Sequence, residues 1–281
     1  MSSKSHPVGS RDYLEDLLGK EPSFQFTSVD NLERTVQRFE DQGQSQYLSF
    51  RGVPEDVFLE LGTNRSSILY CCRYLYIHGT QSVRIRMPSE AHGTAVGEFS
   101  QRLIVKLTRM GSSDDITSRH SGLRNMGSVS KEPDGSWGPL VPQRYVTCIL
   151  EVGMSESQHK LLLDARLWLE LPESPKCHIH QVITIKIHQD QPRIVLQKWE
   201  QSRREYGGTR SSHPREALKT EEVEVSLVNN IAVATGSLRL SFAKIFERPP
   251  AAGTLEDDVI FSPEDLIAIA REVWIAQKMV V

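Results

Sequence analysis

Hydrophobic and polar positions first fall into register at residue 68. Ile68-Leu69-Tyr70 and Tyr74-Leu75-Tyr76-Ile77 lead into His78-Gly79-Thr80-Gln81, after which Val83, Ile85 and Met87 alternate with Arg84 and Arg86. A period of two places alternate side chains on one face, so this stretch predicts a β-hairpin with one solvated face. After Pro88-Ser89 the spacing changes: Val96, Phe99, Leu103 and Leu107 share a helical face, with Ser89 as a cap and Gly111 as the stop. The central stretch runs from Lys131 to Ile187. It reads as a strand end, a strand at Tyr145 to Gly153, a helix over about 155–170, and a strand at Val182 to Ile187. Leu161, Leu162, Ala165, Trp168 and Leu169 form that helix's apolar stripe, and Ser155 with Gln158 fits a capping box.

The flanks follow the same rules. A strand is expected at Arg193 to Trp199, then a mobile surface loop at about 201–219 with Gly207-Gly208 and the basic residues Arg203, Arg204, Arg210, Arg215 and Lys219. Val223 to Leu227 and Leu238 to Phe242 alternate strictly and predict two antiparallel strands, with Glu222 and Glu224 outward. Ser262-Pro263-Glu264-Asp265 opens a last helix that buries Leu266, Ile269, Ala270 and Val273. Residues 1–50 read as a loosely ordered arm with a short helix, in which Leu32, Val36 and Phe39 recur behind Asp30 and Glu33. Residues 51–281 read as a single α/β domain.

Composition narrows the function classes. A chain of 281 residues with 38% hydrophobic content can bury a substantial core. Its 33 Lys+Arg against 36 Asp+Glu give a formal charge of −3, so nucleic-acid binding would require a local basic patch. The four cysteines show no CxxC spacing, and Cys71 and Cys72, adjacent in an expected strand, point to opposite faces and cannot pair. No signal-like apolar segment and no run of about 20 apolar residues is present, which predicts an intracellular, reduced protein of the cytoplasm or nucleus, without membrane contact.

Candidate chemistry gathers in the central stretch. Glu151 interrupts an apolar strand, where an anion is costly to bury without a partner, a metal or water. Asp134 is a second acid upstream, and it could equally cap a turn with Gly135. An acid at one strand end beside an acid and a lysine two apart on the next strand can hold a hard cation against a phosphodiester. Lys160 and Asp164, four apart on the helix, read first as a surface pair. His178 and His180 share a strand face, but no third soft ligand has recognisable spacing, so they read as a structural or exposed pair.

Pro133-Asp134, followed after a gap by Glu151-Val152-Gly153, a helix and a strand, resembles the PD-(D/E)XK, or restriction-endonuclease-like, superfamily. More narrowly, Lys-Glu-Pro-Asp-Gly-Ser-Trp (131–137), Leu-Glu-Val-Gly-Met-Ser-Glu-Ser (150–157), Asp-Ala-Arg-Leu-Trp-Leu (164–169), Val-Ile-Thr-Ile-Lys-Ile (182–187) and Ile-Val-Leu-Gln-Lys-Trp-Glu (194–200) resemble a set of uncharacterised fungal proteins on that fold. The resemblance implies a mixed sheet flanked by helices, with the hairpin at one end and the late strands and last helix as extensions. It implies that Asp134 and Glu151 bind Mg²⁺, with Mn²⁺ as a substitute, and that DNA or RNA is the substrate. The helix start around Glu90 and His92 would add a polar group, and Glu90 or Glu132 would assist the metal. The lysine position is Gly153, so a cation must come from elsewhere, with Lys160, Lys131 and Arg166 as candidates. Two functions follow: a divalent-metal-dependent nuclease, or a nuclease-fold domain that has lost its chemistry and binds nucleic acid or protein.

Overall fold

Alternation and helical periodicity resolve into three sheets, of six, seven and two strands, in the computed structural model, which describes residues 10–18, 21–42, 46–118, 122–140, 146–154, 158–171, 178–202 and 216–279. The elements are α1 (Arg11–Leu18), β1 (Ser23–Gln25), α2 (Val29–Gln42), β2 (Tyr47–Arg51), α3 (Glu55–Thr63), β3 (Arg73–Ile77), β4 (Ser82–Arg86), α4 (Glu90–Met110), β5 (Ile116–Ser118), β6 (Arg124–Asn125) and β7 (Val129–Lys131). Then come β8 (Gly135–Pro139), β9 (Cys148–Gly153), α5 (Gln158–Glu170), β10 (Gln181–Ile187), β11 (Arg193–Gln201), β12 (Ala217–Val228), β13 (Ile231–Ala234), β14 (Leu238–Leu240), α6 (Phe242–Phe246), β15 (Val259–Phe261) and α7 (Pro263–Ala276). They divide into two units, Met1–Ser89 with Ser121–Pro133, and Glu90–His120 with Asp134–Val281.

The first unit is built on a six-stranded mixed sheet, β1-β2-β4-β3-β7-β6. The expected hairpin is β3 and β4, paired antiparallel. Tyr74, Tyr76, Val83 and Ile85 face a core with Leu32, Val36 and Phe58, and the Phe58 and Tyr76 rings stack at 4.2 Å. The opposite face is not solvated as expected: Arg84 and Arg86 are only 5% and 8% exposed. Arg84 Nε lies 2.9 Å from Glu21 Oε1, and its guanidinium covers the Tyr47 ring at 3.9 Å, so an acid and an aromatic face replace water. Within residues 1–50, expected as a loose arm with a short helix, that helix forms as α2 but β1 and most of β2 form as well, and Ser28 rather than Asp30 accepts a backbone N–H, that of Asn31, at the start of α2. Cys71 and Cys72 sit in the turn before β3, not in a strand; both are free thiols, and burial pushes Cys72 up to about 12.

The second unit holds a seven-stranded mixed sheet, β13-β12-β11-β10-β9-β8-β5, flanked by helices. β9 and β10 are parallel and joined through α5, a βαβ unit, while the other neighbours pair antiparallel. Leu150, Val152, Ile183 and Ile185 share a core with Phe99, Leu103 and Leu107 of α4 and Leu266, Ile269 and Val273 of α7. The helix at 263 starts on the expected signals: Ser262 accepts the Asp265 N–H at 3.3 Å and Asp265 accepts the Ser262 N–H at 2.9 Å.

Two strand expectations change partners. The Asn229-Asn230 turn, with φ of 52° and 64°, returns β12 onto β13, not onto the strand at 238. That later strand, β14, pairs antiparallel with β15 instead, where Leu238 and Leu240 lie opposite Phe261 and Val259 and all four are buried in one core. β12 already begins at Ala217, so the last residues of the expected 201–219 loop are strand. Arg203, Arg204, Arg210 and Arg215, like Cys177 and the Ser155 cap, lie outside the described residues.

Candidate functional site

The antiparallel pairing of β8 with β9 sets Gly135 against Leu150, which delivers Asp134 to the flank of Glu151. Asp134 N–H donates to the Leu150 carbonyl at 3.2 Å, and its Oδ2 accepts the Val152 N–H at 2.8 Å. Gly135 is a strand residue here, not half of a turn. A β-carbon on it would lie 2.7 Å from the Trp137 ring and 3.3 Å from Leu150 Cβ, so glycine is required by close approach. The turn-capping reading of Asp134 therefore gives way to a strand-end carboxylate bound to its neighbour's backbone.

Glu151 is fully buried and Asp134 is 1% exposed. Side chains two apart along a strand share a face, so Glu151 and Gly153 look the same way, while Leu150 and Val152 enter the core beneath α4 and α7. Trp168 of α5 donates its indole N–H to Glu151 Oε1 at 2.6 Å, which identifies the Glu151 face as the one α5 covers. His92, buried in the first turn of α4, brings Nε2 to 3.1 Å from Asp134 Oδ2. Both carboxylates are withdrawn from water, Asp134 beside an imidazole and Glu151 under an indole donor. Carboxylate oxygens are the donors a hard divalent cation takes, and a bound positive charge would offset the cost of burying either acid.

The other expected site residues are distributed differently. Glu90 is exposed; two residues from His92 on the same helix, it is turned well away from the direction His92 takes. Lys131 lies in the first unit, buried in β7, where it pairs with Leu75 and Arg124. Glu132, in the same unit, is held by the Arg65 guanidinium and accepts the Tyr74 N–H at 3.3 Å; burial raises its carboxyl against those contacts. Arg166 is engaged by Glu170 through contacts of 3.0 and 3.1 Å, which occupies that cation within α5. Asp164 is 3% exposed, so it is not the solvated surface acid that its spacing from Lys160 suggested. Lys160, Asp164 and Trp168 recur every four residues and so occupy one stripe of α5, the stripe that reaches Glu151.

One residue was not singled out from the sequence. Lys186 of β10 is the register partner of Gly153, as Thr184 is of Glu151. Partners across a ladder share a face, so a lysine stands beside the position that lacks a side chain. It is half-buried, and its Nζ donates to the Met154 carbonyl at 2.7 Å. The signal in the sequence was a lone charge inside the apolar run from Val182 to Ile187; which residue it adjoins depends on strand pairing.

No family model and no curated protein matches the chain. Among solved structures, the chain is similar to one described as a nuclease candidate of DUF820 from Anabaena variabilis, at 15% identity and a TM-score of 0.35, over 70% of this chain and 90% of that one.

Proposed function

We propose that the second unit is a restriction-endonuclease-like, divalent-metal-dependent phosphodiesterase acting on nucleic acid, with Asp134 and Glu151 as the metal-holding acids. The observation that carries this reading is the arrangement of two fully buried carboxylates on adjoining strands with Lys186 beside Gly153. Mg²⁺, or Mn²⁺ in its place, would supply Lewis-acid polarisation of a phosphodiester oxygen when bound.

The chain's own residues have distinct tasks in this reading. His92 and the Val152 N–H fix Asp134 Oδ2, and the Trp168 indole fixes Glu151 Oε1, so neither carboxylate spends freedom on reorientation. Lys186 takes the place of the lysine that Gly153 cannot provide; leaving the Met154 carbonyl, its ammonium would stabilise charge developing on phosphate. Lys160, on the α5 stripe that carries Trp168, is the second cation of the same face.

The test is cleavage of single- and double-stranded DNA and RNA with Mg²⁺ or Mn²⁺, comparing wild type with Asp134→Asn/Glu151→Gln purified identically. Metal-dependent cleavage by wild type alone is expected. Equal activity in both preparations would place the chemistry elsewhere. Inactivity of a folded wild type on every substrate would transfer the reading to a nuclease-fold domain that binds without cutting.

A further inference from the structure

At the opposite end of β9, three other ligand-bearing side chains converge. His178 and His180 lead into β10, and Glu247 follows α6. His178 Nδ1 and His180 Nε2 each lie 2.9 Å from the same oxygen, Glu247 Oε1, and the three atoms lie within 4.8 Å of one another. Thr147, beside this cluster, precedes Glu151 by four strand residues, about 13 Å of extended chain, so the two centres are separate.

The scaffold beneath the cluster is firmly tied. Ile179 is buried, which turns the flanking His178 and His180 outward together. His180 N–H donates to the Thr147 carbonyl at 2.8 Å, and the Thr147 hydroxyl donates to the Ile245 carbonyl at 2.7 Å, linking both ligand-bearing segments to the start of β9. Glu247 closes α6 with a φ of 54°, a left-handed conformation that residues with a β-carbon rarely adopt. Such strain persists where the surroundings enforce it, and here it holds the carboxylate facing two imidazoles.

We propose that His178, His180 and Glu247 form a binding site for a zinc-type divalent transition metal, with a coordination position left open. Two imidazole nitrogens and one carboxylate oxygen are the donors such ions take, whereas Mg²⁺ prefers oxygen alone. Tetrahedral bonds of about 2.0–2.2 Å would set the ligand atoms roughly 3.3–3.6 Å apart, so each 2.9 Å contact opens by about half an ångström, while the two imidazole nitrogens already lie within 4.8 Å of each other. The three side chains are 36%, 37% and 28% exposed, which lets an ion enter without unfolding the unit and leaves one side to water or a ligand.

Metal-stripped full-length chain titrated with Co²⁺, read by visible absorption, and with Zn²⁺, read by calorimetry, tests the site. On an Asp134→Asn/Glu151→Gln background, which removes the acids of the other proposed metal centre, about one ion per chain is expected with the His178–His180–Glu247 cluster intact and in a further His159→Ala control at an exposed histidine, with affinity lowered at least tenfold on adding His180→Ala or Glu247→Gln. Glu247→Gln preserves shape at a partly exposed position, so it stands as the decisive variant if His180→Ala fails to fold. Absence of uptake with the cluster intact, equal affinity in Glu247→Gln, or displacement of Co²⁺ by millimolar Mg²⁺ would each overturn the proposal.

Discussion

Lys186 and Gly153 face each other across the parallel β9–β10 ladder, the lysine standing where its neighbour has no side chain. Replacing the lysine with methionine keeps the aliphatic stem and removes the charge. We expect Lys186→Met to lower metal-dependent cleavage about 100-fold and Lys186→Arg to lose much less, both with unchanged urea midpoints. If Lys160→Met causes the larger loss, the cation of the site belongs to α5 instead.

Trp168 secures Glu151 through one hydrogen bond to a buried carboxylate. Trp168→Phe keeps most of the ring volume and removes the donor, and it should cost about 1.5–3 kcal/mol in urea unfolding. On a Glu151→Leu background that cost should shrink, because no carboxylate remains to be satisfied. Equal costs in the two backgrounds would mean that the loss is one of packing alone.

Gly135 has no room for a methyl group against the Trp137 ring and Leu150. Because Trp137 is itself fully buried, the ring cannot swing into solvent. Gly135→Ala should destabilise the protein by about 1–3 kcal/mol and displace Asp134, its chain neighbour. A neutral result in thermal or urea unfolding would show that the β8–β9 contact is looser than this packing.

Glu256 gives the clearest dependence on pH. The Arg248 guanidinium, through two contacts of 2.7 Å, and the Ala251 N–H hold its carboxyl down to about 2 from an ordinary 4.5. A folded-state value below the unfolded one means that the stabilisation is complete above about pH 4.5 and is lost as the pH falls toward 2. The urea-midpoint gap between wild type and Glu256→Gln should therefore be constant from pH 7 to about 5 and close progressively below that. A gap that persists at pH 2 would rule out this linkage.

Helix periods and the Ser262 cap were legible in the chain because they depend on neighbours three or four residues away. α4 with its Phe99, Leu103 and Leu107 stripe, and α7 with its Ser262 and Asp265 caps, needed no long-range information. The order β9, α5, β10 followed likewise from alternation, a helical stripe and a second apolar run, and the interruption of an apolar strand by Glu151 marked where to look for chemistry. Tertiary structure decided everything that requires two distant segments to meet. Register made Lys186 the neighbour of Gly153, packing gave Glu151 its Trp168 donor and took Asp164 out of water, and the turn at Asn229-Asn230 chose β13 over β14 as the partner of β12. It also supplied Glu247, remote in sequence, as the third ligand-type group beside His178 and His180. Local pattern fixes which face a residue presents; only the pairing of strands and the closure of loops fixes what stands opposite it.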